Sequence, residues 1–76
     1  MSFPSRAEVE RLRQRYPVGT KVRLISMEDP RTVPPGTIGK ILYIDDAGSA
    51  IMRWANGSGL NLILGVDSFE IVEEPV

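Results

Sequence analysis

Apolar and polar positions alternate in short bursts along most of this chain. From Gly36 to Phe69 it reads GTIGKILYIDDAGSAIMRWANGSGLNLILGVDSF, apolar runs broken by turn residues at short intervals. That rhythm predicts a very small β-barrel. Lys21 to Ser26 is the first strand, with Val22 and Leu24 on one face. Met27 to Pro35 holds three prolines, an acidic pair and no alternation, which predicts a long loop. Thr37 to Ile44 is the second strand, and Asp45-Asp46-Ala47-Gly48 has the residues of a tight hairpin turn. Ser49 to Trp54 is the third strand and Asn56-Gly57 marks the next turn. Gly59 to Leu64 is the fourth strand, with Leu60, Leu62 and Leu64 on one face. Gly65 to Ser68 predicts a single helical turn, and Phe69 to Val72 a short last strand. In Ile41-Leu42-Tyr43-Ile44 both faces are apolar, a surplus that a half-exposed strand does not need.

Ahead of the barrel the period changes. Ser5-Arg6-Ala7-Glu8 is a capping box, and Pro17 and Gly19 stop what it starts, so a helix is predicted over Arg6 to Arg15. Val9, Leu12 and Tyr16 form one narrow apolar stripe. A helix this short does not persist alone in water. It must dock on the barrel or on another chain, and either the stripe or a second subunit has to cover the surplus at Ile41–Ile44. The expected class is mainly β: a small five-stranded SH3-like barrel (16–72) with one N-terminal amphipathic α-helix (1–15) and a loose tail (73–76), a single domain.

The 76 residues include no cysteine and no histidine. Thiolate nucleophiles, histidine acid–base catalysis and zinc sites built on these residues are therefore excluded. The apolar fraction of 42% and charged fraction of 25% are ordinary for a folded protein. The net charge of −1 is unevenly spread: residues 1–23 carry six basic and two acidic side chains, residues 24–76 three basic and eight acidic. No stretch approaches the roughly 20 apolar residues of a membrane span. The N-terminal MSFPSRAEVE has no apolar core of a secretory signal, so a cytoplasmic location is expected.

Asp45, Asp46, Asp67 and Glu70 are the carboxylates able to converge on a cation or act as an acid–base pair. The competing reading is architectural: Asp45-Asp46 shapes a turn and Asp67 caps one through the Phe69 amide. The spacing lacks the order of a calcium loop. No metal, cofactor or catalytic residue is predicted. The glycines match no phosphate-binding motif and mark turns and bends.

A further pattern combines Met27-Glu28-Asp29-Pro30, Pro34-Pro35-Gly36-Thr37-Ile38-Gly39, Ile44-Asp45-Asp46, Trp54-Ala55-Asn56-Gly57 and Leu62-Ile63-Leu64-Gly65-Val66-Asp67-Ser68-Phe69. It resembles a family of short bacterial and phage-associated domains of unknown function, over about Tyr16 to Val72. Two departures from that family's pattern are Ala55 for its usual aspartate and Leu64 for its usual proline; a ligand role of that aspartate would be lost or altered here. The resemblance implies an SH3-like fold and a mobile-element origin, and no activity.

The function expected is a non-enzymatic protein-interaction module. Its partner would be engaged by Met27, Asp29 and Pro30 of the loop, Trp54, and the Asn56-Gly57 turn, as groove-forming modules capture extended peptides. Trp54 has a second reading as a core residue on one face with Met52 and Ala50. The alternative is nucleic-acid binding through the basic N-terminal helix, with Arg11 and Arg15 as contacts. The competing reading of those arginines is a solvated face laced with ion pairs. A small inhibitor of a host system is a third reading, and self-association as a homodimer a further one.

Overall fold

The computed structural model describes residues 4–27 and 33–74. Helix α1 (Arg6–Arg15) is followed by five strands: β1 (Lys21–Ser26), β2 (Ile38–Ile44), β3 (Ser49–Trp54), β4 (Leu62–Ile63) and β5 (Ser68–Glu73). They form one antiparallel sheet in the order β4-β3-β2-β1-β5. The sheet is open. β4 and β5 are its two edges and do not pair with each other, so the closed barrel expected from the strand count is not formed.

Two near-identical turns anchor the central ladder. Pro17-Val18-Gly19-Thr20 enters β1 and Pro34-Pro35-Gly36-Thr37 enters β2. In each, the threonine amide and its Oγ1 both donate to the proline carbonyl: 3.1 and 2.7 Å at Thr20, 3.2 and 2.7 Å at Thr37. The glycine between them lies at φ +95° or +91°, a conformation that side chains resist. Each turn then hooks onto the opposite strand just beyond the end of the β1–β2 ladder. Gly19 N–H donates to Ile41 O at 2.8 Å, and Gly36 N–H donates to Leu24 O at 2.7 Å.

The hairpin at Asp45–Gly48 is as expected: Gly48 N–H donates to Asp45 O at 3.0 Å, and Asp45 Oδ1 accepts from the amides of Ala47 and Ser49. The turn at 54–57 is built the same way, with Gly57 N–H donating to Trp54 O at 2.9 Å. Beyond it the fourth strand is shorter than the alternation of leucines predicts. The Leu60 carbonyl accepts the Trp54 indole N–H at 2.8 Å, which bends residues 59–61 over the ring and leaves only Leu62 and Ile63 paired with β3. Residues 64–66 form a hydrogen-bonded turn, with no helical segment there.

The core is one face of this curled sheet. Val22, Leu24, Ile41, Ile44, Ala50, Met52, Trp54 and Leu62 are buried in it, together with Val9 and Val33. The surplus at Ile41–Ile44 is resolved by a β-bulge. Ile41 pairs with Met52 and Tyr43 with Ile51, leaving Leu42 as the extra residue. The bulge shifts the alternation by one position, so Ile41 and Ile44 both point inward and Tyr43 points out. No second subunit is needed to cover them.

Helix α1 closes the inner side beside β2. Its capping box is complete, with Glu8 N–H donating to Ser5 Oγ at 3.2 Å. Val9 is buried, and Leu12 and Tyr16 pack half-buried on the core. Arg13 pins the helix: its Nε donates to Ile44 O at 3.1 Å, and its guanidinium pairs with Asp46 and Glu10. The hydrogen bond to Asp46, above all, raises the Arg13 pKa from its already high ordinary value. No described helix is long and apolar enough to cross a membrane.

Candidate functional site

Of the described residues that the sequence assigns to a peptide groove, Trp54 does not line a surface. Trp54 is 1% exposed, its ring packed over Gly39 on the neighbouring strand and its indole N–H satisfied by Leu60. It is a core residue. Met27 is half-buried and packs against the core cluster. Asn56 and Gly57 are exposed at the turn, where Asn56 Oδ1 accepts from Ser58 N–H at 3.0 Å. Asp29 and Pro30 lie outside the described residues. Ala55 is exposed, and its amide donates to Ile38 O at 2.8 Å.

The carboxylates are dispersed into structural tasks. Asp45 closes its own hairpin, Asp46 pairs with Arg13, and Glu70 pairs with Arg23. Asp67 is 8% exposed, and its Oδ2 accepts from Ile63 N–H at 2.8 Å across the 64–66 turn. The Ile63 amide is a partner that the sequence reading, which aims the side chain at Phe69, does not name. Among the described residues no three acidic side chains gather to hold a metal ion.

The open side of the sheet presents a different surface. Among the described residues no strand pairs with the outer edge of β5. Phe69 and Ile71 lie opposite the inward-facing Leu24 and Val22, so they point to the core side, yet Ile71 stays 39% exposed because no strand among the described residues closes the sheet over it. Tyr16 meets Phe69 edge to face, with ring centroids 5.6 Å apart. A groove of about 380 Å³ runs between Tyr16, Phe69 and Ile71, with Arg15 and Asp67 on its rim. A second hollow, of about 470 Å³, continues past the same aromatic pair between Leu12 and Leu64. The guanidinium of Arg15 stands 5.6 Å from the Tyr16 ring centroid, and Arg11 is exposed on the helix.

On the opposite, outer face lies an arrangement that sequence reasoning missed. Lys21 on β1, Lys40 on β2 and Arg53 on β3 are successive cross-strand neighbours. Each occupies an ordinary outward position in its own strand. The available signal was alternation, which marks each of them as outward. The lateral alignment depends on register, which alternation does not supply.

A family model, described as a domain of unknown function (DUF4314), matches residues 5–72 of the chain. No curated protein and no solved structure matches it. The matched span begins at the helix cap and reaches into β5 as far as Val72, so it touches every element of the fold. The chain therefore belongs to the DUF4314 family.

Proposed function

We propose that this chain is a non-enzymatic protein-interaction module on an SH3-like framework that receives an extended segment of a partner protein along β5. The framework reading is supported by five short antiparallel strands, a long first connection, a tight β2–β3 hairpin and a turn just before the last strand. The observation that carries the function is the open edge of β5 beside the Tyr16–Phe69–Ile71 groove. An unpaired edge offers backbone donors and acceptors to an added strand, and a neighbouring pocket selects alternate side chains. Edge strands are ordinarily guarded by charge. Here Glu70 and Glu73 pair with Arg23 and Lys21, while Phe69 and Ile71 face the groove.

The test is selection of a displayed random-peptide library on the wild-type protein, followed by affinity measurement on Ile71→Lys. Ile71 is partly exposed, so the variant folds, while a lysine enters the groove. Peptides with alternating apolar residues are expected, binding the variant at least about tenfold more weakly. Equal binding to both proteins overturns the proposal, as does failure to select any peptide. A wild-type dimer that Ile71→Lys dissociates would assign the edge to a second copy instead.

A further inference from the structure

The row Lys21–Lys40–Arg53 has no use in strand addition at β5. Adjacent strands lie about 4.8 Å apart, so these three cations are set across about 10 Å of sheet. Lys21 is compensated by Glu73 at 3.2 Å. Among the described residues Lys40 and Arg53 make no ion pair. Like charges directly opposed weaken a sheet, so this alignment costs the free protein stability. A shallow depression of about 350 Å³ lies beside the row, bordered by Ile38 and Ala55.

An exposed aromatic ring shares the face. Tyr43 pairs with Ile51, two positions before Arg53 on the same side of β3, and is 53% exposed. The bulge at Leu42 is what turns it outward beside Lys40. Cations that track a phosphate backbone, next to a ring on which a base stacks, are the elements of single-strand recognition. Carboxylates of an acidic protein would satisfy the cations but leave the ring without a role. A duplex would keep its bases stacked away from Tyr43.

We infer that the outer face of β1–β3 binds single-stranded nucleic acid, with Lys21, Lys40 and Arg53 on phosphates and Tyr43 stacking on a base. This surface is separate from Arg11 and Arg15 of the helix, and from the β5 edge.

The experiment is fluorescence anisotropy of labelled oligo(dT) with the full chain. Three phosphate contacts on a single strand give a log–log salt slope near −2, so affinity falls roughly 20-fold between about 50 and 200 mM salt. Lys40→Glu should weaken binding more than tenfold while raising the thermal midpoint, since the new carboxylate sits between Lys21 and Arg53. Tyr43→Ala should weaken it by roughly tenfold. Arg11→Gln/Arg15→Gln should bind as the wild type does. Absence of binding at the lower salt overturns the inference, as does wild-type affinity in Lys40→Glu or Tyr43→Ala. Loss of binding in the helix variant would move the site to α1. Equal competition by polyglutamate would assign the row to an acidic protein.

Discussion

Gly39→Ala is the most demanding test of the core. Gly39 lies directly opposite Trp54 in the β2–β3 ladder, and the indole covers the glycine. A Cβ built there falls 2.4 Å from Cε3, 2.8 Å from Cζ3 and 2.9 Å from Cδ2 of the ring. Ordinary contact begins near 3.4 Å, so the ring has to retreat by about 1 Å. It has little room to do so. Trp54 is 1% exposed, and its N–H is tied to Leu60 O at 2.8 Å. Overpacking of this kind costs about 1–3 kcal/mol. A displaced indole that leaves its buried partner unpaired adds about 1–3 kcal/mol. The sum, about 2–6 kcal/mol, is a large share of the roughly 4–11 kcal/mol expected for a chain of 76 residues. At about 4–8 °C per kcal/mol, the midpoint should fall by at least about 8 °C in circular-dichroism melts. Trp54 emission should shift in parallel. In a double-mutant cycle Trp54→Leu should cost less in the alanine background than in the wild type, because the clash is gone. A midpoint within about 3 °C of wild type, or strictly additive mutations, would refute the close approach of ring and glycine.

Two other substitutions probe the same structure. Trp54→Ala removes the largest fully buried side chain and should cost about 3–5 kcal/mol, lowering the midpoint steeply or abolishing the cooperative transition; a small shift would return Trp54 to the surface. Asp67→Ala withdraws the acceptor of Ile63 N–H and should cost about 1–2 kcal/mol in urea unfolding. Asp67→Asn keeps a side-chain oxygen and should lose less than half as much, so equal losses would show that the carboxylate's charge is what counts.

Much of the local structure was legible because it depends on neighbours in sequence. The helix over Arg6–Arg15 follows from Ser5 and Glu8 at its start and Pro17 beyond its end. β1 follows from Val22 and Leu24 alternating with charged residues, β3 from Ala50, Met52 and Trp54 at every second position, and the Asp45–Gly48 hairpin from residues suited to its turn. The repeated Pro-x-Gly-Thr was also in plain view as PVGT and PPGT. Its meaning, two matching turns clasping opposite ends of one ladder, needed the hydrogen bonds.

What tertiary structure decided were the contacts between distant residues. Trp54 fits a groove wall or a core equally well until Gly39 is placed beneath it and Leu60 beside it. The leucines of 59–64 read as one strand, but the indole claims the Leu60 carbonyl and shortens the pairing. The apolar run at Ile41–Ile44 asked for a second covering, and a bulge supplied the answer within the chain. Sheet closure and the row Lys21–Lys40–Arg53 depend on which strands pair and in what register. Periodicity assigns each side chain a face of its own strand; only the packed sheet decides which side chains become neighbours.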